Sequence, residues 1–212
     1  MNNNYLKHRA YTFLLREGIN SLPIDCWTIL ARRHYAIEAY YKIPPEGESP
    51  EILVRRFGNA FASPGSIPIE FPYFIGINTY CSLVEQHWAA LHELSHIELG
   101  HVVDLMSASG YDDSKKILED EAKDLSSFIA CPDVILEHLG AYSASEIYRI
   151  CNVPYKVALK KSQYFHSMRY KVDSMRPEDP LEQRLVHFFH DFIIKYNANK
   201  NMHLECSDEL SF

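Results

Sequence analysis

The strongest chemical signal in the chain is the run His92-Glu93-Leu94-Ser95-His96. Positions four apart on a helix stand one turn apart on the same face, so two imidazoles at this spacing can meet a single metal ion. Glu93 projects at a different angle and can reach a water at the metal without ligating the metal. That division of labour, two ligands and a base, is what a zinc hydrolase needs. The bland alternative is a helix that happens to carry two histidines. Trp88, Leu91 and Leu99 around the run weigh against it, because histidines and a glutamate beside a buried stripe are costly unless partnered.

A catalytic zinc takes three protein ligands and keeps a further position open. His101 lies behind Gly100, out of register with the longer His-x-x-x-His-x-x-Gly-x-x-His pattern. It reads instead as a histidine at the negative end of a helix dipole. The next helix offers a better third ligand. Its apolar stripe is Leu118, Ala122, Leu125, Phe128 and Ile129, and Glu121 falls inside it, while Glu119 and Asp120 turn toward solvent. A carboxylate on a core-facing side must be ion-paired or metal-bound. The expected centre is therefore Zn2+ on His92, His96 and Glu121, with Glu93 as the general base. Asp124 reads either as a partner to a ligand histidine or as a solvated helix carboxylate. His101, Tyr73, Tyr80 and Tyr111 are alternative oxyanion donors.

The elements that must hold these residues are mostly helical. Ser82-Leu83-Val84-Glu85 has the form of a capping box, and it predicts a helix from there to Leu99, ended by Gly100. A second helix is expected over 116–130, stopped by Pro132. Upstream, the pattern predicts helices over 5–17 and from Pro23 to Arg33, then a strand from Ala36 to Ile43. Residues 51–80 read as strand and turn, and Phe71 to Ile77 reads as a strand that Pro72 pushes to a sheet edge. Downstream, Ser143 to Glu146 caps a helix to Ile150, Pro154 opens another to Met168, and Leu181 to Tyr196 forms one amphipathic helix. The fold class that follows is α+β: mainly helical, with one small mixed β-sheet next to the His92–His96 helix. The expected organisation is a single domain, with a core over 1–135, a helical part over 136–198 and a polar tail over 199–212.

Composition narrows the partners. The chain has 212 residues and a net charge of -7, which argues against broad phosphate neutralisation and hence against direct nucleic-acid binding. Residues 143–169 nevertheless have a helix-turn-helix outline, locally basic through Arg149, Lys156, Lys160, Lys161, Arg169 and Lys171, read here as a solvated basic face. Five scattered cysteines without a Cys-x-x-Cys pair fit reduced thiols. No secretory pattern or long apolar run stands out, so the expected location is cytoplasmic, without a membrane partner.

Several motifs together resemble the ImmA/IrrE metallopeptidases. Ile77-Asn78 precedes His92-Glu93-Leu94-Ser95-His96-Ile97-Glu98-Leu99-Gly100-His101, similar to that family's strand end and His-Glu-Leu-Gly-His-x-x-Leu-Gly-His run. Glu121-Ala122-Lys123, followed by Phe128 and Cys131-Pro132, is similar to its Glu-Ala-Asn-x-Phe-Ala-x-x-Leu-Leu-Met-Pro run, and Leu22-Pro23-Ile24-Asp25 to its Leu-Pro-Val-Asp. Ser95 stands where Gly is usual, Lys123 where Asn is usual, and Gln86-His87-Trp88 where Arg-x-Arg-Phe is common. The resemblance spans roughly residues 8–165. It implies a minimal zincin-like core and a zinc peptidase of gluzincin type, whose substrate is a helix-turn-helix repressor of a mobile element or stress regulon. The alternative is an inactive metal-binding regulator or toxin–antitoxin-type protein that works by protein or DNA contact.

Overall fold

The computed structural model describes residues 3–43, 49–65, 71–107, 113–169 and 179–208. It comprises two compact units: Met1–Leu6 with Asp25–Ser126, and Lys7–Ile24 with Ser127–Phe212. The chain is mainly helical with one small mixed sheet, an α+β architecture.

In the first unit, α2 (Cys26–Arg32) begins at an Asp25 cap, whose carboxylate accepts from the backbone N–H groups of Trp27 and Thr28. The expected start at Pro23 is thus displaced, because Asp25 supplies the cap acceptor that a helix start leaves wanting. Strand β1 (Ala36–Ala39) follows, shorter than expected because Tyr40–Lys42 tighten into a 3-10 turn. Helix α3 (Glu51–Phe57) replaces part of the strand-and-turn region expected after residue 50. Strands β2 (Ala60–Pro64) and β3 (Tyr73–Ile77) complete the sheet, in the order β1-β3-β2.

β3 is therefore central, not an edge. It pairs parallel with β1 (Ala36↔Phe74) and antiparallel with β2 (Pro64↔Tyr73). Pro72 sits just before the paired stretch, so its missing N–H breaks no rung of the ladder. Ile75 and Ile77 are buried, and their cross-strand partners on β2 are Ala62 and Ala60. On this face the small alanines leave room for a helix. On the other face Phe61 lies opposite Gly76. A Cβ added at Gly76 would stand 2.5 Å from the Phe61 ring, so glycine is what admits the ring. Tyr40, Phe57 and Phe74 gather around Phe61 at ring separations of 5.9, 4.7 and 6.0 Å.

Helix α4 (Leu83–Leu99) packs on β2 and β3. Its start is the expected capping box: the Ser82 hydroxyl accepts from the Glu85 N–H, and the Glu85 carboxylate accepts from the Ser82 N–H at 3.1 Å. α2 docks on α4, where the Cys26 N–H donates to His87 Nε2 at 3.3 Å. An Arg33–Glu98 ion pair joins the far ends of the same two helices. After Gly100 a short α5 (Val102–Ser107) packs on β2. α6 (Asp113–Ala130) then belongs to the first unit up to Ser126 and to the second beyond it.

In the second unit, most of α1 (Asn3–Arg16) joins α7 (Asp133–His138), α8 (Ala144–Cys151), α9 (Tyr155–Arg169), α10 (Pro180–Phe188) and α11 (His190–Asp208). The single helix expected over 181–196 is broken at Phe189, which is fully buried between the two segments. α11 also carries helix into the stretch expected as a polar tail. Tyr11, Leu14, Leu136, Ile147 and Leu185 line this unit's core. Inside it lies an ion pair, Lys161 Nζ to Asp133 Oδ1 at 2.5 Å, with both side chains about 5% exposed or less. The described cysteines, Cys26, Cys81, Cys131 and Cys151, are free thiols. No helix among the described residues is long and apolar enough to cross a membrane.

Candidate metal centre

α4 presents His92 and His96 one turn apart, as the spacing requires. Their Nε2 atoms lie 3.2 Å from each other. The third member is Glu119 of α6: its Oε2 is 3.3 Å from His92 Nε2, and its Oε1 is 3.6 Å from His96 Nε2. Among the described residues these three form the one cluster able to hold a metal ion, with ligand atoms all within 4.8 Å of one another.

The spacing can be tested against a known ion. Ligand atoms held ~2.0–2.1 Å from a tetrahedral zinc stand about 3.3–3.4 Å apart. The Nε2–Nε2 separation of 3.2 Å and the His92–Glu119 Oε2 separation of 3.3 Å fall close to that requirement, while the other Glu119 oxygen reaches His96 at 3.6 Å. The electrostatics agree. Two imidazole nitrogens and a carboxylate group converge, a donor set whose chemistry suits a cation. Burial pushes the His96 imidazole well below its usual pKa, and a hydrogen bond from His92 holds the Glu119 carboxyl well down. Neutral imidazole and ionised carboxylate are the forms that ligate zinc.

Glu119, not Glu121, stands in the third position. The large residues of α6, Leu118, Leu125 and Phe128, define an apolar stripe whose centre tilts toward Glu121. The side against α4 is marked instead by small buried residues. Ala122 and Ser126 are fully buried, and the Ser126 hydroxyl donates to Ser95 Oγ of α4 at 2.9 Å. Glu119 lies three and seven residues before them, on the same face. Ser95 and Ser126 are thus the signal that would have found it: two small residues where two helices approach closely.

Glu121 leaves α6 on the other flank, where its Oε2 is 3.3 Å from His101 Nε2. His101 Nδ1 in turn faces His96 Nδ1 at 3.3 Å. Both ring nitrogens of His101 are therefore engaged within the protein, which removes it from the oxyanion donors. Burial pushes its pKa down, while Glu121 and a hydrogen bond with the Leu118 backbone oppose that shift.

Glu93 is 8% exposed. Burial raises its carboxyl from the usual 4.5 to about 7, with Glu119 adding to the rise, while His92 and the backbone N–H of Ala62 oppose it. That N–H comes from β2, the edge strand beside the helix. Tyr40, unremarked in the sequence, is buried near Glu93, and burial and the Glu93 charge push its phenol upward. The remaining oxyanion alternatives are not gathered at the cluster. Tyr73 packs against Tyr35 at the start of β3, and Tyr80 is 76% exposed in the turn before α4. Tyr111 lies outside the described residues. Asp124 is on the exposed side of α6 and is not a member of the ligand cluster.

No protein-family model matches the chain, and no curated protein is similar to it in sequence.

Proposed function

We propose that the chain is a zinc-dependent endopeptidase of ImmA/IrrE type, in which His92, His96 and Glu119 hold the metal and Glu93 is the general base. The observation that carries this reading is the cluster of His92 Nε2 and His96 Nε2, 3.2 Å apart, with the two Glu119 carboxylate oxygens 3.3 and 3.6 Å from them and the buried Glu93 next to it in the chain. A bound divalent cation supplies Lewis acidity, polarising a carbonyl and lowering the pKa of water toward ~7.

The rest of the chemistry falls to the chain. Glu93, buried beside the histidines, takes the proton from the attacking water and returns it to the departing amine. The Ala62 N–H donates to that carboxylate and orients it. Ser95 and Ser126 clamp α6 against α4 and keep Glu119 at the histidines. The proposed substrate is a helix-turn-helix repressor of a mobile element or stress regulon, as the resemblance of the motifs implies.

The experiment is incubation of purified helix-turn-helix repressors from the same genome with the zinc-loaded chain and with Glu93→Gln. Cutting by wild type only, with zinc content equal in both, is the expected outcome. Equal cutting by both chains would remove Glu93 from its role. Zinc binding by a wild type that cleaves nothing would favour the regulatory alternative.

A further inference from the structure

Glu121 and His101 form a second tier behind the ligands. Gly100 makes it possible. It adopts the left-handed conformation (φ 79°) that ends α4, and glycine enters that region without strain. The turn brings the His101 N–H back to the His96 carbonyl at 2.9 Å and its ring edge-on to the His96 ring, with centroids 5.4 Å apart. Three side chains then line up from the centre outward: His96, His101, Glu121. The links are Nδ1 to Nδ1 at 3.3 Å and Nε2 to Oε2 at 3.3 Å.

We infer that His101 and Glu121 are positioning residues that fix the tautomer and ring orientation of the ligand His96. This rests on the metal-centre reading above. The argument is one of donors and acceptors. A histidine that ligates through Nε2 carries its proton on Nδ1. The His96 Nδ1–H then donates to His101 Nδ1, which must offer a lone pair. His101 therefore carries its proton on Nε2, where the Glu121 carboxylate accepts it. The two links have one mutually consistent direction, with the Leu118 carbonyl as a further acceptor for a His101 N–H, and the chain ends on an anion, which makes His96 a stronger donor to a metal. No comparable support reaches the other ligand: among the described residues, the buried Nδ1 of His92 has no hydrogen-bond partner. The carboxylate that the sequence placed on the metal acts instead through two imidazoles.

The test uses the full chain loaded with zinc. Imidazole nitrogen NMR on 15N-histidine-labelled protein is expected to show His96 protonated at Nδ1 and His101 at Nε2. A His101 proton on Nδ1 would overturn the inference without any substitution. Zinc affinity, read by competition with a chromogenic chelator, should fall about 10- to 100-fold in His101→Phe, the range typical of lost outer support to a ligand histidine. His101→Asn keeps an acceptor near the Nδ1 position and should recover most of the loss, whereas a purely space-filling role would favour Phe over Asn. Glu121→Gln, at a partly exposed site, should weaken zinc by several-fold. It provides the affinity test if His101→Phe does not fold. Wild-type affinity in both His101→Phe and Glu121→Gln would sink the inference while leaving the metal centre standing. A wild-type chain that takes up no zinc would instead sink the metal centre itself.

Discussion

Glu93 combines two demands that oppose each other: it must be buried beside the cluster and it must ionise. In the metal-free protein that conflict has a measurable cost. Burial raises its carboxyl from 4.5 to about 7, and each tenfold change in proton affinity is worth about 1.4 kcal/mol. The full effect is therefore about 3 kcal/mol, with little discount for solvent because the side chain is 8% exposed. The folded protein holds this proton more tightly than the unfolded chain. Below pH 4.5 both states are protonated and Glu93 costs nothing. Between pH 4.5 and about 7 the unfolded chain releases its proton while the folded state keeps it, so stability falls, and above about 7 the full cost is present.

Glu93→Gln cannot titrate. Its stability relative to wild type should improve by about 3 kcal/mol between pH 4.5 and pH 8, whatever constant offset the amide introduces. Denaturant unfolding in excess chelator, followed by tryptophan fluorescence, reads this directly, because Trp27 and Trp88 both belong to the unit that holds the site. Adding zinc at pH 8 should erase most of the difference, since a cation beside the carboxylate favours its charged form. A wild-type-minus-variant difference that stays flat with pH would refute the argument that Glu93 is desolvated.

Three further outcomes follow from the packing. Lys161→Met should destabilise the chain by about 3–5 kcal/mol, because it strands a buried Asp133 charge; Lys161→Met with Asp133→Leu should recover much of that in denaturant unfolding, and a double variant as unstable as the single one would contradict it. Gly76→Val should cost about 1–3 kcal/mol by overpacking against the Phe61 ring, and Phe61→Ala in the same chain should relieve part of that loss in thermal melting; simple addition of the two effects would mean that they do not meet. Ser126→Leu should wedge α6 away from α4 and weaken zinc binding at least tenfold, while Ser126→Ala leaves it within a few-fold by chelator competition; equal affinities would show that the helix approach does not seat Glu119.

What the sequence disclosed depended on how local the signal was. Both capping boxes, Ser82 with Glu85 and Ser143 with Glu146, form as expected, because a cap is satisfied by residues three apart and needs no tertiary partner. The spacing of His92 and His96 likewise needs only helix geometry. Features set by distant partners were illegible. Pro72 suggested an edge, yet β3 is flanked by a strand from before it on each side, and nothing in its own residues records that order. The break at Phe189 carries no Gly or Pro, since Leu185 and Phe189 keep a helical spacing while the chain turns between them. α3 has no buried residues, so its apolar pattern was weak. The choice between Glu119 and Glu121 turned on which edge of α6 meets α4. Large residues dominate the periodicity there, but Ser126 makes the hydrogen bond to Ser95 of α4.

The most direct measurement is zinc stoichiometry by mass spectrometry, after saturation and desalting, of wild type, Glu119→Gln and Glu121→Gln. One zinc per chain is expected in wild type and in Glu121→Gln, and none in Glu119→Gln. Retention by Glu119→Gln, or a wild-type chain that holds no zinc, would contradict the centre formed by His92, His96 and Glu119.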